Sequence, residues 1–218
     1  MDILELIKSR RSIRKFLPDK PIDWDKVSKC IDAARHAPSS GNLQNWRFIV
    51  ILEPDLKKAV AEAALQQWWI AEAPVVIVAL SEPEKAERYY GVRGERLYSI
   101  QNCAAAVENL ILEAHSLGLG TSWVSAFDED ALKRVLKVEE FARPQAIIPM
   151  GYAAEVPSKP PKYPLEQLVF FNVWRNRLRD PARYMRDYSV IIARGVRAGK
   201  EALKKTAEKI REKISQKQ

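Results

Sequence analysis

Pro74-Val75-Val76-Ile77-Val78-Ala79-Leu80 is the stretch on which the fold turns. It has no polar alternation, so neither face expects water, and it reads as a central strand covered on both sides. Upstream, Phe48–Leu52 is a second strand, stopped by Glu53-Pro54-Asp55, which opens a helix expected to run to about Gln67. Further upstream, Asp2–Ser9 has the spacing of a short helix. Asp23 is a good N-cap for a second helix that carries Val27, Cys30, Ile31 and Ala34 on one face and ends near His36. Downstream, the charged Glu82–Gly94 reads as a loop or short helix. Tyr98–Leu117 is the strongest helix, with Ile100, Cys103, Ala104, Val107, Leu110, Ile111 and Ala114 on a wide apolar face. Gly118-Leu119-Gly120 ends it, and Thr121–Phe127 is strand-like. Asp128 caps a helix through Leu136, Gln145–Ala153 is another buried strand, and Val169–Trp174 is a last one. Strands and helices interleave without the strict alternation of a doubly wound sheet, so the expected class is α+β.

Composition sets the outer bounds. A chain of 218 residues that is 47% hydrophobic can bury a substantial core without disulfide staples. Cys30 and Cys103 lie far apart in apolar helical patterns, and His36 and His115 are the only histidines, too few ligands for a structural zinc site. All four are expected to be packing residues. Neither a leader-like N terminus nor a bilayer-length apolar run is present, which makes the cytoplasm the default expectation. The net charge of +8 belongs to one end of the chain. Residues 175–218 carry 14 Lys and Arg against 5 Asp and Glu, leaving 22 and 23 in residues 1–174, so a nearly neutral body precedes a basic helical tail.

Two further segments look like chemistry. Arg10-Arg11-Ser12-Ile13-Arg14 sets three guanidiniums and a hydroxyl within five residues. Arginine's rigid fork suits multi-point contact with phosphate oxygens. Alone, the pentapeptide reads more readily as a solvated basic turn. Pro38-Ser39-Ser40-Gly41-Asn42-Leu43-Gln44-Asn45-Trp46 combines flexible backbone, short hydroxyl and amide side chains and an aromatic able to wall a flat ligand. It too could be an ordinary turn with a core tryptophan. No Gly-x-Ser-x-Gly occurs and neither histidine lies in a motif, so no protein nucleophile or acid–base pair stands out.

Taken together, the two segments resemble the nitroreductase-like family of FMN-dependent oxidoreductases. Ala73–Val76, Gly118–Trp123, Ile148–Tyr152 and Lys162–Glu166 add matches in the same order, so the resemblance covers residues 1–174. It departs at Asn45, where the family usually has proline and where a looser loop is expected, and at Lys162, where many members have arginine. The resemblance implies a central, mostly antiparallel sheet flanked by helices, and a homodimer with FMN at its interface. It assigns Arg10, Arg11, Ser12 and Arg14 to the FMN phosphate and ribityl chain, with Lys162 reaching the same phosphate. Pro38, Ser39, Ser40 and Asn42 would approach the ring from the second subunit. Gln67 would hydrogen-bond the ring's polar edge, while Trp123, Val124 and Ser125 would pass beside it and bring a backbone N–H near N5. No catalytic side chain and no metal are implied, since the cofactor carries the electrons. NAD(P)H would bind transiently, there being no Gly-x-Gly-x-x-Gly, and a nitroaromatic, quinone or flavin would serve as small-molecule acceptor.

Two alternatives stay open at this level. The same fold supports dehalogenating or flavin-fragmenting chemistry, which would depend on the segment around Glu82–Arg96. A different class is nucleic-acid or anionic-surface binding through Arg175, Arg177, Arg179, Arg183, Arg186 and the run Lys200–Lys217. Against it, Leu203, Ala207, Ile210 and Ile214 give that tail the narrow apolar seam of a packing helix.

Overall fold

The computed structural model describes residues 2–177. Val75–Ser81 forms β2, and all seven of its residues are buried, as a strand with no polar alternation requires. On one side it pairs antiparallel with β1 (Trp46–Ile51), on the other with β4 (Arg143–Gly151). A two-residue β3 (Gly120–Thr121) adds to the far edge of β4, giving the order β1-β2-β4-β3 with every pair antiparallel. A register shift between Ala79 and Leu80 admits Gln145 as an extra residue, and the Gln145 amide donates to Ser81 Oγ at 3.0 Å.

The sheet has helices on both faces. Val75, Ile77 and Ala79 point into a cluster with α2 (Trp24–Arg35) and α5 (Ser99–Ser116), where Val27, Cys30, Cys103, Val107 and Leu110 are buried. The alternate residues Val76, Val78 and Leu80 point to α3 (Pro54–Ala63) and α6 (Glu129–Leu136), among Val60, Ile70, Val124 and Leu132. The period-two alternation of β2 is thus divided between two apolar layers rather than between core and water. α1 (Ile3–Ser9) buries none of its residues, and α4 (Pro83–Arg93) buries only Ala86. The α+β class and the antiparallel sheet flanked by helices are as expected.

Several local expectations are corrected. α3 stops at Ala63 because the Gln67 side-chain amide donates to the Ala64 carbonyl at 2.8 Å, while Leu65 and Gln66 turn left-handed with φ of 57° and 61°. Thr121–Phe127 is not a continuous strand: after Thr121 it keeps one bond to β4, Ser122 N–H to Pro149 O at 3.4 Å, and a two-way bridge from Val124 to Ile147. Of the two readings of Glu82–Gly94, the helical one holds: the segment forms a helix of 11 residues, opened by Pro83 at its first turn and broken at Gly91, where φ is 57°. Ile100 is exposed rather than part of the buried face of α5. His36 is an exposed C-cap residue and not a packing one. Both cysteines are core residues as expected, and burial pushes each thiol up to about 12.

The chain divides between Lys159 and Pro160 into two units. Of the second, the described residues hold α7 (Leu165–Leu168) and a turn in which Phe171 N–H donates to Asn176 O at 2.8 Å. Asn172 and Arg175 are left-handed there, so the strand expected over Val169–Trp174 is absent. Arg179, Arg183, Arg186, the run Lys200–Lys217 and most of the expected tail helix lie outside the described residues. No helix among the described residues is long and apolar enough to cross a membrane.

Gly151, at the end of β4, shows how tightly the N-terminal segment is laid on the sheet. A Cβ there would come within 2.7 Å of both Phe16 Cδ1 and Pro74 Cδ. Gly151→Val is therefore expected to cost about 1–3 kcal/mol of stability through overpacking, read as a lowered urea midpoint at unchanged slope.

Candidate functional site

The basic pentapeptide begins where α1 ends. The Arg11 guanidinium folds back, and its Nη1 donates to the carbonyls of Lys8 (2.9 Å), Ser9 (3.1 Å) and Arg10 (2.7 Å). It caps the C-terminal carbonyls of the helix, where a cation also meets the dipole favourably. Beyond it the chain becomes a strip along the sheet edge. Ile13 N–H donates to Thr121 O at 2.9 Å, Leu17 N–H to Tyr152 O at 2.9 Å, and Ala154 N–H to Lys15 O at 2.9 Å. Ile13 turns into the core over Gly120, so extended geometry sends its neighbours Ser12 and Arg14 the other way.

Ser12 and Arg14 line a groove of about 440 Å³ with Lys15, Trp69, Glu72, Glu155 and Pro157. The Arg14 guanidinium lies 5.8 Å from the centre of the Trp69 ring, a cation–π arrangement that holds the charge over an aromatic face. Trp69 sits in a 3₁₀ turn (Trp68–Ile70) directly after Gln67. The Gln67 amide nitrogen donates to Ala64 O at 2.8 Å and to Ala126 O at 3.0 Å. Both of its hydrogens are thereby committed, so what Gln67 can offer a ligand is its acceptor Oε1.

The Ala126 contact brings Gln67 to the segment after β3. Val124 is buried there, and its N–H and C=O are both taken by Ile147 at 2.9 Å. Val124 therefore pins the segment, while Trp123 is partly exposed and its Nε1 donates to Ser125 Oγ at 2.9 Å. Two contacts thus span these segments: Arg14 lies over Trp69, two residues from Gln67, and the Gln67 amide bonds Ala126, the residue after Trp123–Ser125. Lys162 belongs to the second unit.

The Pro38–Trp46 loop is built elsewhere. Ser40–Asn42 is a 3₁₀ turn, and Gly41 and Asn42 are left-handed there with φ of 54° and 56°. A buried asparagine on α5 holds it. Asn102 Oδ1 accepts from Ser40 N–H at 2.9 Å, and Asn102 Nδ2 donates to Ser40 Oγ at 3.0 Å and Asn45 Oδ1 at 2.8 Å. Asn45 is fully buried; its Nδ2 donates to Glu82 O at 3.4 Å, and its own carbonyl accepts from Glu82 N–H at 2.7 Å. The asparagine expected to loosen the loop instead ties it to α5 and to the end of β2. Ser39 Oγ accepts from Gln44 N–H at 3.1 Å, which closes the turn.

The two clusters attach to opposite ends of α5. Asn102 holds the loop near one end, and His115, whose Nε2 is 2.8 Å from Ser9 Oγ, meets the arginine segment near the other. The intervening helix of 13 residues rises about 20 Å. Burial holds His115 below the ordinary imidazole range, and the charges of Arg10 and Arg11 push in the same direction. The unfolded chain therefore binds its proton first as pH falls. Stability from this group is full above the unfolded pKa of about 6.5 and is lost as pH drops toward the lower folded value. His115→Gln is expected to flatten the fall in melting midpoint below pH 6.5, as scanning calorimetry across that range would read.

The donors suit an anion with an attached flat group: guanidiniums that stay charged, a hydroxyl, an aromatic-lined groove and a main chain pinned at Val124. A nitroreductase family model matches residues 7–72 and 66–152. The chain belongs to the nitroreductase family. An NADH dehydrogenase of Thermus thermophilus is 33% identical to this nitroreductase-family chain over 195 residues, covering 76% of it and 92% of the relative. FMN reductase (NAD(P)H) of Bacillus subtilis is 26% identical over 189 residues, covering 81% and 76%. A crystal structure of a nitroreductase family protein from Clostridium novyi NT superposes with a TM-score of 0.63 at 32% identity, covering 82% of this chain and 97% of that one.

Proposed function

We propose that the chain is an FMN-dependent NAD(P)H oxidoreductase that works as a homodimer and reduces nitroaromatic, quinone or flavin acceptors. The observation that carries this reading is that Arg14 lines a groove with Ser12 and Trp69, two residues from a Gln67 whose amide bonds Ala126 beside Trp123–Ser125. FMN, when bound, supplies hydride acceptance from NAD(P)H and electron delivery to the acceptor. The chain's own residues bind and orient. Arg10, Ser12 and Arg14 hold the phosphate, with Arg14 kept in place by the Trp69 face. Arg11 contributes by fixing the end of α1, its side chain being committed to three carbonyls. Lys162 is assigned to the phosphate on the resemblance. Gln67 Oε1 accepts from the ring's polar edge. Trp123 and Ser125 flank the ring and offer the main-chain N–H groups, because that of Val124 is used by Ile147.

Pro38, Ser39, Ser40 and Asn42 reach the ring from the partner subunit in this reading. Their placement about 20 Å along α5 from His115 supports a second copy as their route to the site. The exposed apolar face of α1 gives that copy something to cover, with Ile3 69%, Leu4 45% and Ile7 48% exposed. The direct test is the absorbance spectrum of the purified protein with added FMN, followed by anaerobic NADH and NADPH. A bound flavin spectrum that bleaches with either nicotinamide is the expected result. A protein that takes up no FMN overturns the reading.

A further inference from the structure

Glu155 has no part in the roles assigned so far, yet it touches the phosphate segment at its centre. One of its carboxylate oxygens, Oε1, accepts two consecutive main-chain N–H groups, that of Arg14 at 2.7 Å and that of Lys15 at 3.1 Å. Adjacent N–H groups converging on one point make an anion-binding concavity. Here the chain fills that concavity with its own carboxylate, from 140 or more residues away in sequence. The contact continues the pairing of the strip where the ladder ends: Leu17 with Tyr152, Phe16 with Ala153, Lys15 with Ala154, then Glu155. Ile13 and Lys15 on either side are bonded to Thr121 and Ala154, and among these contacts it is Glu155 that takes the N–H of Arg14 itself, the residue whose guanidinium rests on Trp69.

We propose that Glu155 is a positioning residue for FMN binding: its carboxylate clamps the Arg14–Lys15 backbone and so sets the Arg14 side chain toward the phosphate. This rests on the FMN reading above. It yields an expectation opposite to simple electrostatics. Glu155 and Glu72 are both carboxylates of a groove whose cations are Arg14 and Lys15. Removing a negative charge beside a bound phosphate should by charge alone tighten FMN binding. Removing the clamp should weaken it.

Two variants of the full chain separate these effects. Glu155→Gln keeps an acceptor oxygen for both N–H groups and drops the charge, so FMN affinity is expected to hold or to rise a few-fold. Glu155→Ala drops both, and affinity is expected to fall by about tenfold or more, a charge-assisted pair of bonds being lost. FMN fluorescence quenching measures both. Hydrogen exchange of the protein without FMN gives an independent readout, with the Arg14 and Lys15 amides expected to exchange about tenfold faster or more in Glu155→Ala and at near-parental rates in Glu155→Gln. Glu155→Ala binding FMN as tightly as the parent, or unchanged exchange at those two amides, overturns the proposal. So does a parallel loss of FMN affinity and melting midpoint in both variants, which is the signature of a role in folding alone. If the parent takes up no FMN, the functional reading fails, and the positioning role fails with it; the amide exchange then decides only whether the clamp exists.

Discussion

Arg14→Ala is expected to weaken FMN retention by roughly 10- to 150-fold, the equivalent of about 1.5–3 kcal/mol for a hydrogen bond to a charged group. Among the described residues the side chain makes no ion pair with a carboxylate, and it lies over Trp69, so its charge is available to a phosphate. The fold should survive, because the structural attachments of this residue are its backbone N–H to Glu155 and the neighbouring strip. Arg14→Lys keeps the charge and loses the planar fork and its stacking on the indole, so it is expected to fall between parent and alanine. Equilibrium dialysis against FMN at fixed ionic strength gives the ordering. An alanine variant that retains FMN as firmly as the parent removes Arg14 from the phosphate site.

Asn102→Leu is expected to have the largest effect on the loop. The substitution is close in volume, yet it leaves Ser40 N–H and the fully buried Asn45 Oδ1 without partners. An orphaned buried group costs about 1–3 kcal/mol, so a loss of about 2–4 kcal/mol is expected in urea unfolding. The loss should be cooperative: pairing Asn102→Leu with Asn45→Leu removes both ends of one bond, and the double variant is expected to be less destabilised than the sum of the singles. A simple sum would mean that the two asparagines do not act as a unit. The loop amides at Ser40 and Asn42 are expected to lose exchange protection in the single variant, and FMN affinity should fall with them under the dimer reading.

The parts of this protein that were legible in its letters are those with a local physical signal. The run Pro74–Leu80 has no polar residue to place outside, and the α5 face repeats with helical period, so both elements and the covering of the strand on both faces could be read directly. The arginine segment and the serine loop were legible as chemistry through residue types, and as a pair only through resemblance. What could not be read depends on contacts between distant residues. Nothing near Gln67 in sequence announces that its amide replaces the next main-chain bond of α3 and bonds Ala126. Val169–Trp174 is apolar enough for a strand, but two left-handed residues and the Phe170–Trp174 ring contact curl it into a turn. Glu155 and Asn102 are single polar residues in segments read for other reasons. Asn102 had a faint signal, an amide beside an otherwise apolar helical stripe, and Glu155 had none. Asn45 stands where the family usually has proline, and its side chain replaces ring rigidity with hydrogen bonds to residues its own segment does not reveal.

In the proposed homodimer one FMN is held by the arginine segment of one copy and the serine loop of the other. Mixed dimers put this to the test. An Arg10→Ala/Arg14→Ala chain and a Ser39→Trp chain, each expected to bind little FMN alone, are co-expressed with different tags, and flavin is measured per chain. Under the interface account half of the randomly formed dimers are mixed and each carries one intact site, so FMN is expected to return to roughly a quarter of the parental content, all of it in doubly tagged dimers. If the doubly tagged dimers carry no more flavin than the two variants alone, each chain completes its own site and the shared-site account is wrong.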